Sequence, residues 1–557
     1  MLLSGADIIV KTLIEQGCDT VFGYPGGQIL NVYDSLYLYQ DEIKHVLAAH
    51  EQGAAHAADG YARTTGKVGV VMSTAGPGAT NLVTGIATAY LDSIPMVAIC
   101  GNVPTTQIGS DSFQEIDITG ITLPITKHNY FVGEVEDLAD TIREAFRLAK
   151  SGRPGPVLID VPKDVQIAKC EYEPQPPVEK DEPYAAKAIR IEEAAKQINQ
   201  AQRPFIYFGG GLITADAQEE MLRLAEKIDA PIGCSLMGLS AIPTDHPRFL
   251  GMQGMHGHYA SSMAMHHADL ILSLGVRFND RVTGNRQKFA TGAKIIHIDV
   301  DGSELCKTVT AACGLRGDVK LTLQKLLPLL NENSKPEWSS RVKAFREEEE
   351  TYLDNREGLT PRRAILTLNK HLGANTAVCT DVGQHQMWSA QSLTFQTPRR
   401  FVSSGGLGTM GFGLGAAIGA AFGTKERSVL VTGDGSFGMC LQELATAVTY
   451  GVPVVILIMN NGVLGMVRQW QTLFYSKHYS NTILGRKTDF AAFAKAFGAD
   501  GEAVSTPGEL DAALDRAFHC EGPYVIDCKI DKDEFVLPML PPGGSMDDII
   551  TKLEVES

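Results

Sequence analysis

The chain has 557 residues, and at roughly 150 residues per domain this length predicts about three or four domains and excludes a small binding module. Hydrophobic residues (44%) and charged residues (20%) occur in the proportions of ordinary globular proteins, which excludes wholesale disorder. Lys and Arg total 49 against 65 Asp and Glu, and the net charge of −16 argues against nucleic acid or an anionic membrane as a partner. The 10 cysteines are dispersed without a CxxC pair, so we expect reduced thiols and a cytoplasmic protein.

Two segments could be mistaken for targeting or membrane signals. Residues 1–17 carry Asp7 where a signal peptide would need an apolar core, and they predict an amphipathic helix without export. The uncharged window 403–424 contains eight glycines and is too weakly apolar for a membrane span. It predicts a buried, tightly packed loop and helix.

Short apolar runs rich in β-branched residues recur between helical patterns. Continuous apolar strands that alternate with helices predict parallel sheets covered on both faces, and therefore an α/β fold of doubly wound domains with mainly parallel sheets. The predicted strands lie within 68–74, 95–101, 156–162, 204–211, 270–275, 294–299, 377–383, 428–435, 453–461 and 524–530.

Two shifts in composition divide the chain. Residues 166–187 are acidic and proline-rich, and residues 336–359 are polar and charged, so both are predicted to be linkers. Thr360 and Pro361 then form a good N-cap and first-turn pair for a new helix. The predicted domains are residues 1–165, 188–335 and 360–540, followed by a tail at 541–557.

The strongest functional signal lies at the ends of two predicted strands. One strand ends in Gly433-Asp434-Gly435-Ser436, and the next ends in Asn460-Asn461, 26 positions after Asp434. Ligands bind at the carboxyl ends of parallel strands in open α/β sheets. The Asp434 carboxylate and the Asn461 amide oxygen suit Mg²⁺, while the glycines expose backbone N–H groups to a diphosphate. A lone Gly-Asp-Gly often marks an ordinary turn, but this combination is more specific.

That combination resembles the thiamine-diphosphate binding motif. The remaining motifs resemble the large catalytic subunits of acetohydroxyacid synthase, also called acetolactate synthase, from about residue 4 to residue 550. They include GYPGGQ (23–28), STAGPGATN (73–81), RFNDRVTG (277–284), GGLGTMGFG (405–413) and GMVRQWQ (465–471). The resemblance implies the thiamine-diphosphate enzyme architecture, with a pyrimidine-binding domain first, a central FAD-binding domain, and a diphosphate-binding domain third.

The resemblance also implies roles for residues of the first domain. Alone, Glu51 would be an ordinary first-turn glutamate favoured by the helix dipole. In the family this glutamate lies against the pyrimidine N1′ nitrogen, where a shared proton drives the tautomer that deprotonates C2. Phe113 and Gln114 match residues near the reacting carbon, and Lys163 matches one at the entrance channel.

The expected thiamine-diphosphate and Mg²⁺ site lies in the third domain. The resemblance assigns Gly408 a backbone contact with the aminopyrimidine and makes Met410 the apolar wedge that bends the cofactor. The expected diphosphate contacts are Gly433, Gly435, Ser436 and Asn460, and the expected metal ligands are Asp434, Asn461 and the carbonyl of Val463.

The central domain is expected to bind FAD. Histidines at 256 and 258 lack a carboxylate at ligand spacing, so a metal site is disfavoured. Three glycines after a strand are by themselves a weak dinucleotide signal. The family's flavin contacts match Arg153, Gly209, Gly210, Gly211, Met255, His256, Gly257, Asp299 and Asp318.

Two residues are expected to bind ketoacid substrates. Arg281 can clamp a carboxylate bidentately, although an ion pair with Asp280 is an alternative. Trp470 matches the family residue that shapes the pocket for the second ketoacid. The implied reaction decarboxylates pyruvate and condenses the hydroxyethyl carbanion with a second pyruvate or with 2-ketobutyrate. It yields 2-acetolactate or 2-aceto-2-hydroxybutyrate for branched-chain amino-acid biosynthesis, with FAD in a structural role.

The family further implies a homo-oligomer with sites at the subunit interface and a possible small regulatory subunit. The alternatives are a flavin-dependent pyruvate oxidase, another 2-ketoacid carboligase or decarboxylase, and a non-catalytic relative. RFNDRVTG and GMVRQWQ disfavour the oxidase, and the presence of Glu51, Asp434 and Asn461 disfavours the non-catalytic relative.

Overall fold

The computed structural model describes residues 1–552 and contains three six-stranded sheets in which all neighbouring strands are parallel. Each sheet has a separate apolar cluster on each face, because successive residues of a strand point to opposite sides. Val70 and Val71, for example, belong to different clusters. The predicted α/β class is confirmed, and every predicted apolar run contains a strand.

The first sheet has the strand order β3-β2-β4-β5-β7-β6. Two short strands of the same domain, β1 and β8, form a separate antiparallel pair. The elements are β1 (Leu2–Ser4), α1 (Gly5–Glu15), β2 (Thr20–Tyr24), α2 (Leu30–Leu38), β3 (Lys44–Leu47), α3 (Glu51–Thr65), β4 (Gly69–Ser73), α4 (Pro77–Asn81), α5 (Val83–Asp92), β5 (Met96–Asn102), α6 (Ile118–Thr122), β6 (His128–Phe131), α7 (Leu138–Lys150), β7 (Pro156–Pro162), α8 (Lys163–Ile167) and β8 (Lys169–Glu171).

The central sheet has the order β11-β10-β9-β12-β13-β14. Its elements are α9 (Ala188–Gln200), β9 (Pro204–Phe208), α10 (Gly210–Thr214), α11 (Gln218–Lys227), β10 (Ile232–Cys234), β11 (Phe249–Met252), α12 (Tyr259–His267), β12 (Leu270–Leu274), α13 (Asp280–Thr283), β13 (Lys294–Asp299), β14 (Cys313–Arg316), α14 (Val319–Leu326) and α15 (Pro336–Glu350).

The third sheet has the order β16-β15-β17-β18-β20-β19. Its elements are α16 (Pro361–Asn369), β15 (Ala377–Thr380), α17 (Gln384–Ser392), β16 (Phe401–Ser403), α18 (Gly413–Thr424), β17 (Ser428–Gly433), α19 (Asp434–Phe437), α20 (Leu444–Thr449), β18 (Val454–Asn460), α21 (Gly465–Phe474), α22 (Phe490–Ala496), β19 (Asp500–Val504), α23 (Pro507–His519) and β20 (Tyr524–Lys529).

Both helix predictions made from local sequence are confirmed. Ser4 caps α1 by accepting a hydrogen bond from the Asp7 backbone N–H, and the apolar face of that helix is buried. Thr360 caps α16 in the same way, with Pro361 at its first position. The charged residues 336–359 include α15, which buries Trp338 and Phe345 against the central domain because the helix presents them on one face.

Helices α3 and α18 join the first domain to the third, and their backbones lie in close contact. A Cβ atom on Gly60 would lie 2.1 Å from the Ala416 carbonyl oxygen, and one on Gly419 would lie 1.8 Å from that of Ala57. Only glycine fits at these two positions. The window 403–424 contains the predicted buried helix, but Gly406, Leu407 and Gly408 of the preceding loop are exposed. Within the described residues 1–552, no helix is long and apolar enough to cross a membrane.

Candidate active site

The carboxyl ends of β15, β17 and β18 lie side by side in the third sheet. The segments that follow them are Gly383–His385, Gly433–Ser436 and Asn460–Asn461. The parallel register places all three at one edge of the sheet, which is where open α/β sheets bind ligands.

Asp434 has the properties expected of a cation ligand. Its side chain is buried, and burial raises its pKa to about 6, while nearby backbone N–H groups, among them that of Gly462, act in the opposite direction. The Asn461 amide oxygen accepts a hydrogen bond of 3.2 Å from the Val463 N–H, so the predicted ligands Asn461 and Val463 lie in one turn. Mg²⁺ takes few protein ligands when phosphate oxygens complete its coordination, and a single carboxylate with an amide fits that pattern.

The glycines and polar side chains beside Asp434 have different surroundings. A Cβ on Gly435 would lie 2.8 Å from the Leu464 side chain, so this backbone is left open only by the absence of a side chain. Ser436 Oγ donates to the Val382 carbonyl at 2.8 Å. Asn460, a predicted diphosphate contact, donates from Nδ2 to Asp527 Oδ1 at 2.8 Å, so its amide nitrogen bridges the neighbouring strands β18 and β20.

His385 is a candidate diphosphate-site residue that the sequence reasoning missed. It is buried, burial lowers its pKa to about 3, and its Nε2 atom has no protein partner. A Cβ on Gly433 would lie 2.9 Å from His385 Nδ1, so the imidazole is packed directly against the Gly-Asp-Gly turn. The sequence contained the signal for His385. Gly383 is the last residue of the predicted strand 377–383, and Gln384 and His385 follow it, as polar residues follow the other two strands.

The loop between β16 and α18, residues 404–412, carries Gly408 and Met410. Gly408 has φ of +71°, a left-handed conformation that favours glycine. Asp381, at the end of β15, accepts a hydrogen bond of 2.8 Å from the Gly411 N–H, and the Thr409 N–H donates to Ser404 Oγ at 3.0 Å. The loop is therefore held in one conformation by buried polar groups.

A cavity of about 1560 Å³ extends from this loop across the central domain. It exceeds the roughly 300–1,000 Å³ of a typical single-ligand pocket, so it has room for a dinucleotide and a further small molecule. The predicted residues that line it are Arg153, Gly209, Gly210, Gly211, Met255, His256, Arg281, Asp299, Asp318, Gly408, Met410 and Trp470. Gly257 lies behind the wall, where a Cβ would be 2.5 Å from the Met252 carbonyl oxygen.

The central-domain part of the cavity fits a flavin nucleotide. Gly211 packs against Gly275, where a Cβ would be 2.6 Å from the Gly275 Cα, and the three glycines of the turn after β9 line the cavity. His256 Nδ1 is buried without a protein partner. Burial also raises the pKa of Asp299 to about 6. Asp318 caps α14 by accepting from the Leu321 N–H at 2.9 Å, so that residue has a structural role as well.

Arg281 and Trp470 meet in the cavity at its third-domain end. The Arg281 guanidinium lies 5.8 Å from the Trp470 ring centroid and contacts Met255 Sδ at 3.7 Å. Its distance to Asp280 is 3.9 Å and both side chains are more than half exposed, so that ion pair is weak. The guanidinium therefore has donors available for a carboxylate.

Apart from Arg153, the predicted first-domain residues form a separate group. Glu51 accepts a hydrogen bond of 2.9 Å from Asn81 Nδ2, and Gln114, with φ of +66°, packs against Gly76. Phe113 is 83% exposed, and Lys163 Nζ donates to the Gly27 carbonyl at 3.1 Å. In the described part of the chain, none of Glu51, Phe113, Gln114 and Lys163 lines the large cavity.

Comparison with family models gives the class of the protein. Residues 3–121 match the N-terminal TPP binding domain of thiamine pyrophosphate enzymes, residues 191–326 match the central domain, and residues 381–528 match the C-terminal TPP binding domain. The fold, the site and these matches define a thiamine pyrophosphate enzyme.

Comparison with curated proteins gives the family within that class. The chain is 45% identical to the probable acetolactate synthase large subunit of Methanocaldococcus jannaschii over 571 residues (100% of this chain, 96% of the relative). It is 43% identical to the acetolactate synthase large subunit of Haemophilus influenzae over 566 residues (98% of each) and 42% identical to the isozyme 3 large subunit of Escherichia coli over 573 residues (98% of each). The chain belongs to the acetolactate synthase large-subunit family, and the resemblance of its motifs is confirmed.

Proposed function

We propose that the chain is the catalytic subunit of an acetolactate synthase. It decarboxylates pyruvate and joins the remaining two-carbon unit to a second pyruvate or to 2-ketobutyrate, giving 2-acetolactate or 2-aceto-2-hydroxybutyrate for branched-chain amino-acid biosynthesis. One observation carries this proposal: Gly408 and Met410 line the same cavity as Arg281 and Trp470.

Thiamine diphosphate, when bound, supplies a carbon acid and an electron sink for the carbon–carbon bond changes. Asp434, Asn461 and the Val463 carbonyl would hold Mg²⁺, and the open backbone at Gly435 with the neutral His385 would receive the diphosphate. Gly408 and Met410 would orient the aminopyrimidine. Glu51 would move a proton at the pyrimidine N1′ atom, which a carboxyl group can donate and accept.

Arg281 would bind the carboxylate of an incoming ketoacid, and Trp470 would contact its alkyl group. These roles require no redox step, so the proposed FAD at Gly209–Gly211, His256 and Asp299 acts as a structural ligand. The proposed flavin residues and Arg281 line the same cavity, which supports this role. A bound nucleotide would fill the space next to Arg281 and hold the walls of the substrate end in place.

We further propose that the active unit is at least a homodimer. The first-domain group around Glu51 is separate from the cavity within one chain, so a partner chain would bring Glu51 to the site. The curated relatives are named large subunits, which supports a possible small regulatory subunit as a second partner.

The proposed function is tested by product analysis. Purified protein with thiamine diphosphate, Mg²⁺ and FAD should convert pyruvate to an acid-labile product that decarboxylates to acetoin, detected colorimetrically. Adding 2-ketobutyrate should produce the acetohydroxybutyrate product as well. Peroxide or a reduced electron acceptor in stoichiometric yield would instead identify a pyruvate oxidase and refute the proposal.

A further inference from the structure

A buried ion triad connects the first domain to the loop that carries Met410. Asp59 and Arg63 lie one turn apart on α3, and Asp92 is the last residue of α5; their side chains are at most 6% exposed. Arg63 pairs with Asp59, and its Nη2 atom lies 2.9 Å from Asp92 Oδ2. Its Nη1 atom donates to the Ser403 carbonyl at 2.8 Å, so the guanidinium contacts the residue just before the loop.

Asp92 binds the loop directly. Its two carboxylate oxygens accept hydrogen bonds from the N–H groups of Gly405 at 3.0 Å and Gly406 at 2.7 Å. A Cβ on Gly406 would lie 2.9 Å from Asp92 Oδ1, so glycine is needed for this approach. The carboxylate therefore fixes two consecutive peptide groups only two residues before Gly408.

The two residues beside Asp92 contact arginines of the cavity. The Leu91 carbonyl accepts a hydrogen bond from Arg277 Nη2, and Ser93 Oγ accepts one of 2.8 Å from Arg153 Nε. Both arginines line the cavity in the part proposed to hold the flavin nucleotide. Residues 91–93 thus stand between the proposed nucleotide site and the loop.

We propose that Asp92 is a positioning residue that holds Gly405 and Gly406 so that Gly408 and Met410 face the aminopyrimidine, and that it links this loop to occupancy of the nucleotide site. This inference rests on the proposed binding of thiamine diphosphate and FAD. Through this link the proposed FAD, which has no redox role in the reaction, would influence the position of the loop. The connection runs from Arg153 and Arg277 through residues 91–93 to the loop.

The chemistry of the contact explains why a carboxylate is required. Three donors converge on Asp92, namely two peptide N–H groups and a guanidinium, and a carboxylate accepts from all of them. In Asp92→Asn one oxygen becomes an NH₂ group, so one donor faces another donor. The loop would then lose at least one charge-assisted hydrogen bond, and its conformation would no longer be fixed.

The test uses the full-length protein as wild type, Asp92→Asn and Asp160→Asn. Asp160 is a matched control, because it is a buried aspartate of the same domain that accepts a hydrogen bond from Asn102 and has no hydrogen bond to the loop. For each protein, C2-proton exchange of thiamine diphosphate at saturating Mg²⁺ and cofactor is followed by NMR. The affinity for thiamine diphosphate is also measured by calorimetry with and without FAD.

We expect Asp92→Asn to slow C2 exchange about ten-fold or more and to bring the affinity ratio with and without FAD close to one. The control should keep both wild-type values. Gly406→Ala, which keeps all charges of the triad but pushes the loop away from Asp92, should reproduce the effect on exchange and carries the test if Asp92→Asn does not fold.

The inference would be overturned if Asp92→Asn kept the C2-exchange rate and the affinity ratio of the wild type. It would also be overturned if FAD did not change the affinity of the wild-type protein for thiamine diphosphate. A purely structural role would lower thermal stability in Asp92→Asn and Asp160→Asn alike while leaving exchange at saturating cofactor unchanged, and that result would also overturn it. Failure of the wild type to bind thiamine diphosphate with Mg²⁺ would instead refute the proposed function itself.

Discussion

The predicted site residues divide into two groups that the chain treats differently. The predicted flavin contacts other than Gly257, the substrate residues, Gly408 and Met410 surround one continuous cavity, whereas Glu51, Phe113, Gln114 and Lys163 lie apart from it on the first domain. The Asp434 segment adjoins the cavity at Met410, where a Cβ on Gly435 would lie 3.9 Å from the Met410 side chain. In the cavity group His256 and Asp299 are buried, whereas Phe113 of the first-domain group is exposed. Residues proposed to act in the reaction thus lie outside the cavity of their own chain. The proposed partner that brings them to a cavity is a second copy of the chain.

The largest effect is expected when the Gly-Asp-Gly segment beside the cavity loses its proposed metal ligand. Asp434→Ala should abolish Mg²⁺-dependent binding of thiamine diphosphate, because it removes the carboxylate and leaves the diphosphate charge uncompensated. Calorimetric titration measures the loss. Asp434→Asn, which keeps the size of the side chain, should lose affinity too, and FAD binding should persist as the control for folding. Unchanged affinity would reduce the Gly-Asp-Gly segment to a simple turn.

The next effect falls on the other group and should be kinetic. Glu51→Gln should leave folding and cofactor affinity nearly intact but slow C2-proton exchange by roughly 10²- to 10⁴-fold, the usual contribution of general acid–base catalysis, because an amide cannot shuttle the proton. NMR exchange measurements give the rate. Exchange at the wild-type rate would remove Glu51 from the reaction.

Within the cavity group, Trp470 and Arg281 should have separable effects. Trp470→Leu should reduce the preference for 2-ketobutyrate over pyruvate as acceptor, since one methylene in a pocket is worth roughly 1–3 kcal/mol, or about 10- to 200-fold. Arg281→Gln should impair both acceptors, because both present the same carboxylate. Competition between the two ketoacids at fixed ratio measures the products. A wild-type product ratio in Trp470→Leu would place the acceptor pocket elsewhere.

The separation of the two groups can itself be tested by mixing inactive variants. Random pairing of Glu51→Gln with Asp434→Ala chains should yield about half heterodimers, each with one intact site, and so restore about one quarter of wild-type activity. Each variant alone, taken through the same unfolding and refolding, is the control. If mixing restored nothing while the wild type recovered from that treatment, both groups would have to act within one chain.

The sequence predicted the central strands well and the edge strands poorly. Strands such as β5 and β18 are buried on both faces and appear as continuous apolar runs. Edge strands β3 (Lys-His-Val-Leu) and β6 (His-Asn-Tyr-Phe) are partly exposed, so their composition does not differ from that of a loop. The short central strand β2 was missed as well, because its single apolar pair is too brief to stand out.

The site was predictable where a motif follows a strand and unpredictable where the fold joins distant segments. Asp434 and Asn461 were found from strand ends, whereas the cavity-lining glycines were assigned from the family resemblance. His385 could have been found by the same rule. Asp92 and Arg63 could not, because on their helices they are ordinary charged residues, and only the packing of α3 and α5 against the third domain brings them to Gly405.

Helix α3 has 15 residues and is therefore about 22 Å long, with Glu51 at its first position and Arg63 in its last turn. Its glycine contacts with α18 leave no slack between the two helices. In a dimer that takes Glu51 from one chain and Met410 from the other, the two ends of each α3 belong to different catalytic centres. A shift of the loop at one centre would then be transmitted along α3 towards Glu51 at the other.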